Sequence, residues 1–323
     1  MDSRGLGRAA LAALLALAGA AAVAQGRLFV TSEKDNALAV VDLARGETVA
    51  TPALCRRPRH AQLGPARQRL YVACGDDGRI VAWDPAAGRI VERLEVGEAP
   101  VIFDLSPDGR TLYASNQGGA TLTAFDLVAG KKLFAVKVGG EPEGVKVSAD
   151  GTLVYVTSEV AGVVHVVDVA ARQVVRTIPV GQRPRRLLLA GRQLWVSNAQ
   201  DASASVIDTA RHTVVSTVAF RPPGMGREDV TPVGMALSPN GKTVYVALGR
   251  ADHVAVVDVA RRRVRGYVPV GRRPWDVAVS RDGTRLYVPN GLSDDLSIVD
   301  ARAMKALRTV RVGREPHSVV VDD

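Results

Sequence analysis

The chain has 323 residues, of which 47% are hydrophobic, 23% charged and only 4% aromatic, with 31 Gly, 17 Pro and two Cys. This is a globular composition, and it excludes a disordered, collagen-like or disulfide-dense chain. The formal charge is +9, but the basic residues are dispersed, the longest runs being Arg56-Arg57 and Arg261-Arg262-Arg263 between apolar strand-like segments. With no basic stripe interleaved with aromatics, no nucleic-acid partner is expected.

At the N-terminus, Arg4 and Arg8 precede an apolar run from Ala9 to Ala24 that ends in Ala22-Val23-Ala24. This pattern is that of a secretory signal peptide, residues 1–24, cleaved before Gln25. The run is too short and Ala-rich for a transmembrane helix, and no Cys near the cut offers a lipid anchor. No later stretch is long and apolar enough to span a bilayer. The mature chain, residues 25–323, is therefore expected to be exported, periplasmic in a bacterial setting, with no membrane span after signal cleavage.

Three markers then recur along the mature chain. An aromatic stands at Phe29, Tyr71, Tyr113, Tyr155, Trp195, Tyr245 and Tyr287, and an Asp after an apolar run at Asp42, Asp84, Asp126, Asp168, Asp208, Asp258 and Asp300. A Pro, usually after Val-Gly, stands at Pro58, Pro100, Pro142, Pro184, Pro232, Pro274 and Pro316. Seven copies of a period near 42 residues, with turn signals inside each, predict four short strands per repeat and a seven-bladed β-propeller. In the unit starting at Pro142, the segments 143–148, 153–157, 163–167 and 174–180 are the expected strands. Because the chain enters at a second strand (28–31) and ends with a first-strand segment (317–321), the C-terminal strand should complete the N-terminal blade and close the ring. The fold class is thus all-β, a single propeller domain over 25–323.

Leu112-Tyr113-Ala114-Ser115-Asn116, Val206-Ile207-Asp208 and Ser106-Pro107-Asp108-Gly109 resemble the YVTN-type propeller repeat. More narrowly, residues 31–36, Glu141-Pro142-Glu143-Gly144, Gln182-Arg183-Pro184-Arg185 and Pro232-Val233-Gly234-Met235 resemble the propeller proteins associated with catabolism dependent on pyrroloquinoline quinone (PQQ). That resemblance implies a periplasmic protein linked to quinoprotein oxidation of alcohols and to a transport system. The chain departs from the pattern at His60, where Gly would stand, and at Ala190-Gly191-Arg192, which replaces the usual Asp-Gly turn.

In a propeller the residues after each repeated Pro surround the central channel. Here they are Arg59 and His60, Val101, Glu143, Arg185 and Arg186, Val233, Trp275 and Asp276, and His317. The strand positions repeat Val, Ala and Leu, whereas these vary in nearly every repeat and are free of the structural consensus. Arg59, His60, Glu143, Arg185, Arg186, Trp275, Asp276 and His317 are accordingly the predicted ligand-binding ring, solvent-facing on one top face. Arg offers bidentate hydrogen bonds to an anion, and Trp275 a stacking face. Loops 32–35 and 158–159 open on the same face and are read as solvated. The repeated Asp before each turn is read as a backbone cap.

Cys-x-x-Cys-His, Gly-x-Ser-x-Gly and His-Glu-x-x-His are absent from the sequence. His60 and His317 share the ring and could gain Glu143 or Asp276 as metal ligands, but no metal and no cofactor is assigned. Cys55 and Cys74 fall near one face and are a disulfide candidate. The function expected is a non-catalytic periplasmic binding or accessory propeller associated with PQQ-dependent alcohol catabolism or its transport system. Its partners would be a PQQ-dependent dehydrogenase or transport components and a small anionic or aromatic ligand. The competing readings are an axial-site enzyme such as a lactonase-like hydrolase, and a modified-haem-binding propeller.

Overall fold

A computed structural model describes residues 26–323. The segment read as a signal peptide, 1–24, lies outside the described residues. Twenty-eight strands form seven four-stranded antiparallel sheets, with no α-helix among the described residues. Each sheet is one blade, and the first strand of each repeat is its inner edge. In the fourth blade the strands are Pro142–Val147, Leu153–Ser158, Val163–Asp168 and Gln173–Pro179. The expected closure is present: Pro316–Asp322 pairs antiparallel with Arg27–Ser32 and becomes the inner strand of the first blade. No described helix is long and apolar enough to cross a membrane.

The repeat markers have structural causes. The second-strand aromatics, from Phe29 to Tyr287, are at most 9% exposed and help fill the apolar clusters that the strands form. The repeated Asp caps its turn, as where Asp84 Oδ1 accepts from Ala86 N and Ala87 N at 2.9 and 3.0 Å. The same contact recurs at Asp42, Asp126, Asp208 and Asp300. These bonds hold the Asp84 carboxyl below its ordinary pKa, Ala87 N first, and leave it no catalytic part.

Two blades depart from the regular pattern. The inner strands of the sixth and seventh are only Met235–Leu237 and Ala278–Val279. In the seventh, Pro289 on the neighbouring strand has no N–H to donate, and Val277 N goes to the carboxylate of Asp276 at 3.0 Å instead of to the ladder. Trp275 N still reaches Pro289 O at 3.1 Å, so the segment is held without being a strand. The extra residues between the fifth and sixth blades, 220–231, include a short 3-10 turn at Arg227–Asp229.

Candidate functional site: an axial channel in two tiers

The register of the inner strands explains how side chains reach the channel. In the first five blades the ladder shifts between the repeated Pro and the residue three positions on, as between Pro58 and Ala61, Pro142 and Val145, and Pro184 and Leu187. The two residues after the Pro are bulged out of the ladder, and such a bulge re-aims side chains. A hydroxyl two positions after the second-strand aromatic fastens the bulge. Thr31 Oγ1 accepts from Ser318 N at 3.0 Å and donates across to Arg59 O in the next blade at 2.8 Å. Ser115 links Ile102 N to Glu143 O, and Thr157 links Gly144 N to Arg185 O, in the same way. Gly144 leaves the space that Arg185 O occupies, where a Cβ would collide. Arg59, Glu143 and Arg185 are thus located by backbone bonds between blades and not by loop chance.

The first bulged residue lines an upper funnel of about 400 Å³, which includes Arg59, Glu143, Arg185 and Trp275. A second circle comes from the residue before the Pro: Arg57, Glu141, Arg183, Arg273 and Glu315 all line the same funnel, with φ between 49° and 58°. That left-handed backbone is costly for a residue with a Cβ. Arg185 is the centre. Its guanidinium lies 3.2 Å from Glu159 and 3.7 Å from Glu143, and 5.7 Å from the ring centroid of Trp275. Arg183 binds Glu159 at 2.6 Å, Arg57 binds Glu33 at 2.8 Å, and Arg273 covers Trp275 at 4.9 Å. Trp275 also stacks on His317, with centroids 5.6 Å apart, while His317 Nε2 meets Arg59 at 3.3 Å.

The charge balance is unusual. Glu143 and Glu159 are both buried on either side of Arg185, close enough for each to shift the other's titration. Burial, then Glu143, pushes Glu159 up to about 8. Burial would raise Glu143 too, but Arg185, Glu159, Arg186 and Arg59 outweigh it and hold Glu143 below the carboxylate range. Burial, then Arg59 and Arg186, keeps His317 neutral. Glu143 Oε2, Glu159 Oε1, Arg59 Nε and His317 Nδ1 are buried without a hydrogen-bond partner among the described residues. So many unpaired polar atoms at one place is exceptional in a protein interior, where nearly all are bonded.

The second bulged residue faces the other way. His60, Arg186 and Asp276 line a separate lower cavity of about 190 Å³, with Gln62, Asp104 and Lys146 from further along the inner strands. Gln62 donates to Asp104 at 3.2 Å and Lys146 pairs with Asp104 at 2.9 Å, a chain across three blades. Asp276 accepts from Ser318 Oγ at 3.0 Å, and burial raises its pKa. Burial, then Arg186 and Lys146, takes His60 down to about 3, and its ring sits edge-on to Phe103.

The single solvent-facing ring is therefore corrected on two points. Arg59, Glu143, Arg186 and His317 are buried, at 8%, 1%, 9% and 1% exposure, because the bulges turn them into the channel. His60, Arg186 and Asp276 do not share the funnel with Arg59, Glu143, Arg185 and Trp275, because consecutive bulged residues point to opposite tiers. The loop residue Glu159, read as solvated, is 5% exposed and belongs to the site. The circle before the Pro was also missed, although its signal was present: those positions vary between repeats as much as the ones after it. Among the described residues no three His, Cys, Asp or Glu side chains gather as a metal site, so His60 and His317 do not join Glu143 or Asp276 in one. Cys55 and Cys74 are disulfide-bonded, with Cα atoms 5.8 Å apart. The bridge ties the loop that carries Arg57 to the end of strand Leu70–Cys74.

The YNCE-like β-propeller family model matches residues 91–190. A search of curated proteins gave no match. Among solved structures the chain is similar to the periplasmic gluconolactonase of Pseudomonas aeruginosa, with TM-score 0.78 and 21% identity, over 92% of this chain and 99% of that one. It is similar to hydrazine synthase of Kuenenia stuttgartiensis, with TM-score 0.74 and 20% identity, over 85% and 92%. It is also similar to a dihydro-haem d1 dehydrogenase solved in complex, with TM-score 0.67 and 15% identity, over 91% and 74%. The chain is a β-propeller. At these identities the likenesses show the fold, and the site must speak for the function.

Proposed function

We propose that the chain is an exported binding propeller whose upper funnel holds a small organic anion, as an accessory of a periplasmic oxidation or uptake pathway. The observation that carries the reading is the seat around Trp275. Arg273 makes no ion pair with any described carboxylate and lies over one indole, and Arg185 lies over the same indole. The funnel continues into a neighbouring recess of about 420 Å³ that shares Arg183, Arg185, Arg273 and Trp275 and adds Arg250. An unpaired guanidinium, that of Arg273, beside an aromatic face suits a carboxylate carried on a ring or a short carbon chain. Export is supported by the apolar N-terminal run and by the disulfide, which an oxidising compartment preserves. A PQQ-dependent setting rests on the sequence resemblance alone.

The test is calorimetric titration with gluconate and with benzoate. Binding of either, weakened about tenfold or more by Arg273→Gln, is expected from the loss of a charge-assisted hydrogen bond. Equal affinities of wild type and variant would refute the seat.

A second reading, a lactone hydrolase, is favoured by one feature. Glu159 carries a proton near neutral pH beside the ionised Glu143, so the pair offers an acid and a base. Turnover of glucono-δ-lactone that falls with Glu159→Gln would establish it. For the modified-haem reading, His317 Nε2 is turned to Arg59 and its face is covered by Trp275, while Nδ1 is left without a hydrogen-bond partner among the described residues, and His60 lies in the other tier.

A further inference from the structure

We propose that the lower cavity is a second, separate ligand site that takes a short-chain monocarboxylate, with the carboxylate on Arg186. Arg186 lines the cavity and is 9% exposed, yet among the described residues its guanidinium has no ion pair within 4.0 Å and no hydrogen bond, and Nε and Nη1 are fully buried. An arginine withdrawn from water without a partner is destabilising unless a ligand completes it.

The other charged groups facing the cavity do not complete it. Asp104 is consumed by Lys146, Gln62 and Val147 N. Asp276 is engaged by Ser318 and Val277 and makes no ion pair with Arg186 within 4.0 Å; burial raises its pKa, and Arg186 opposes that only in part. His60 stays neutral. No described carboxylate thus lies within 4.0 Å of the Arg186 guanidinium, and the open position beside it calls for a single negative group.

The remaining walls set the rest of the ligand. Ile102, Val145, Leu188 and Met235 give the cavity an apolar wall against which the group behind the carboxylate would pack as a hydrocarbon. A water molecule takes about 30 Å³ of liquid, so about 190 Å³ holds a few heavy atoms beyond the carboxylate and no more.

The site does not depend on the funnel reading, and the probes separate the two. Sodium butyrate is titrated calorimetrically into the full mature chain, with butanol and butylammonium as neutral and cationic comparisons, and 4-bromobutyrate is located by its anomalous signal in crystals. Saturable butyrate binding is expected, with none for butanol or butylammonium. Arg186→Gln is expected to weaken it about tenfold or more. Leu188→Phe, which fills the cavity and keeps the charge, should abolish it even if the Arg186 variant fails to fold. Bromine should lie in the cavity beside Arg186. No butyrate binding at millimolar concentration, unchanged affinity in either folded variant, or bromine in the funnel alone would each overturn the proposal.

Discussion

The two tiers of the channel are built by adjacent residues of the same strands, and they partner consecutive arginines, Arg185 and Arg186, in opposite ways. In the upper funnel Arg185 sits between Glu143 and Glu159, and Arg183 and Arg57 have carboxylates at 2.6 and 2.8 Å. In the lower cavity Arg186, one residue along, has none. The funnel holds Arg185 in a network of ion pairs and leaves Arg273 free over Trp275, whereas the half-apolar cavity holds Arg186 with no described carboxylate beside it. A bulge that turns consecutive side chains to opposite tiers lets one short sequence, Pro184-Arg185-Arg186, supply both.

The widest break of this comparison is removal of Pro316–Asp323. That segment gives His317 to the funnel and Ser318 to Asp276 in the cavity, and it closes the first blade. The truncated chain should lose cooperative unfolding and aggregate through the bared edge of Arg27–Ser32, as size-exclusion chromatography and thermal melts would record. Next in size, reduction of Cys55–Cys74 should cost roughly 3 kcal/mol in urea denaturation. It should loosen the funnel loop at Arg57 and leave the cavity unchanged, which hydrogen exchange can resolve.

The pH dependence sharpens the comparison further. Because Glu159 is raised from its ordinary 4.5 to about 8, the folded state holds a proton that the unfolded state has lost. Its contribution is full below pH 4.5 and is lost as pH rises through about 8. The buried histidines act oppositely: their lowered pKa values cost stability as pH falls below about 6.5. The stability difference between wild type and Glu159→Gln should therefore fall from pH 5 to pH 8, while that between wild type and His60→Gln should rise from pH 5 to pH 7. The smallest effect expected is from Trp275→Ala, which loses the stack on His317 and should cost about 1 kcal/mol by thermal denaturation.

The ring, its seven repeats and its closure were legible because each follows from a local cause that recurs: an aromatic between blades, an Asp on a turn, a Pro at the inner strand. The site was legible in outline for a related reason, since Arg59, Glu143, Arg185 and Trp275 break a consensus that the other strand positions keep. What periodicity cannot carry is direction. Nothing in Arg185-Arg186 or Trp275-Asp276 says that the first residue faces one tier and the second the other, because a strand's simple alternation is interrupted there by a bulge. Glu159 was hidden for a different reason: it lies in a loop, and only the neighbouring blade, through Arg183 and Arg185, makes it a buried residue. The hydroxyls of Thr31, Ser115 and Thr157 were visible in the repeat but acquire meaning only once the bulge they fasten is seen.

The central claim, that Arg185 is held between carboxylates and Arg186 beside none, is tested most directly by comparing two variants in urea denaturation at neutral pH without ligand. Glu143→Gln alone would let Glu159 ionise in its place, so both are changed: Glu143→Gln with Glu159→Gln leaves Arg59, Arg183 and Arg185 facing one another with no carboxylate between them. That variant should lose about 3–5 kcal/mol, the cost of breaking a buried ionic network. Arg186→Met, which removes a charge that has no partner, should be as stable as wild type or more so. A double variant that keeps wild-type stability, or an Arg186→Met protein that loses as much as the double variant, would contradict the account.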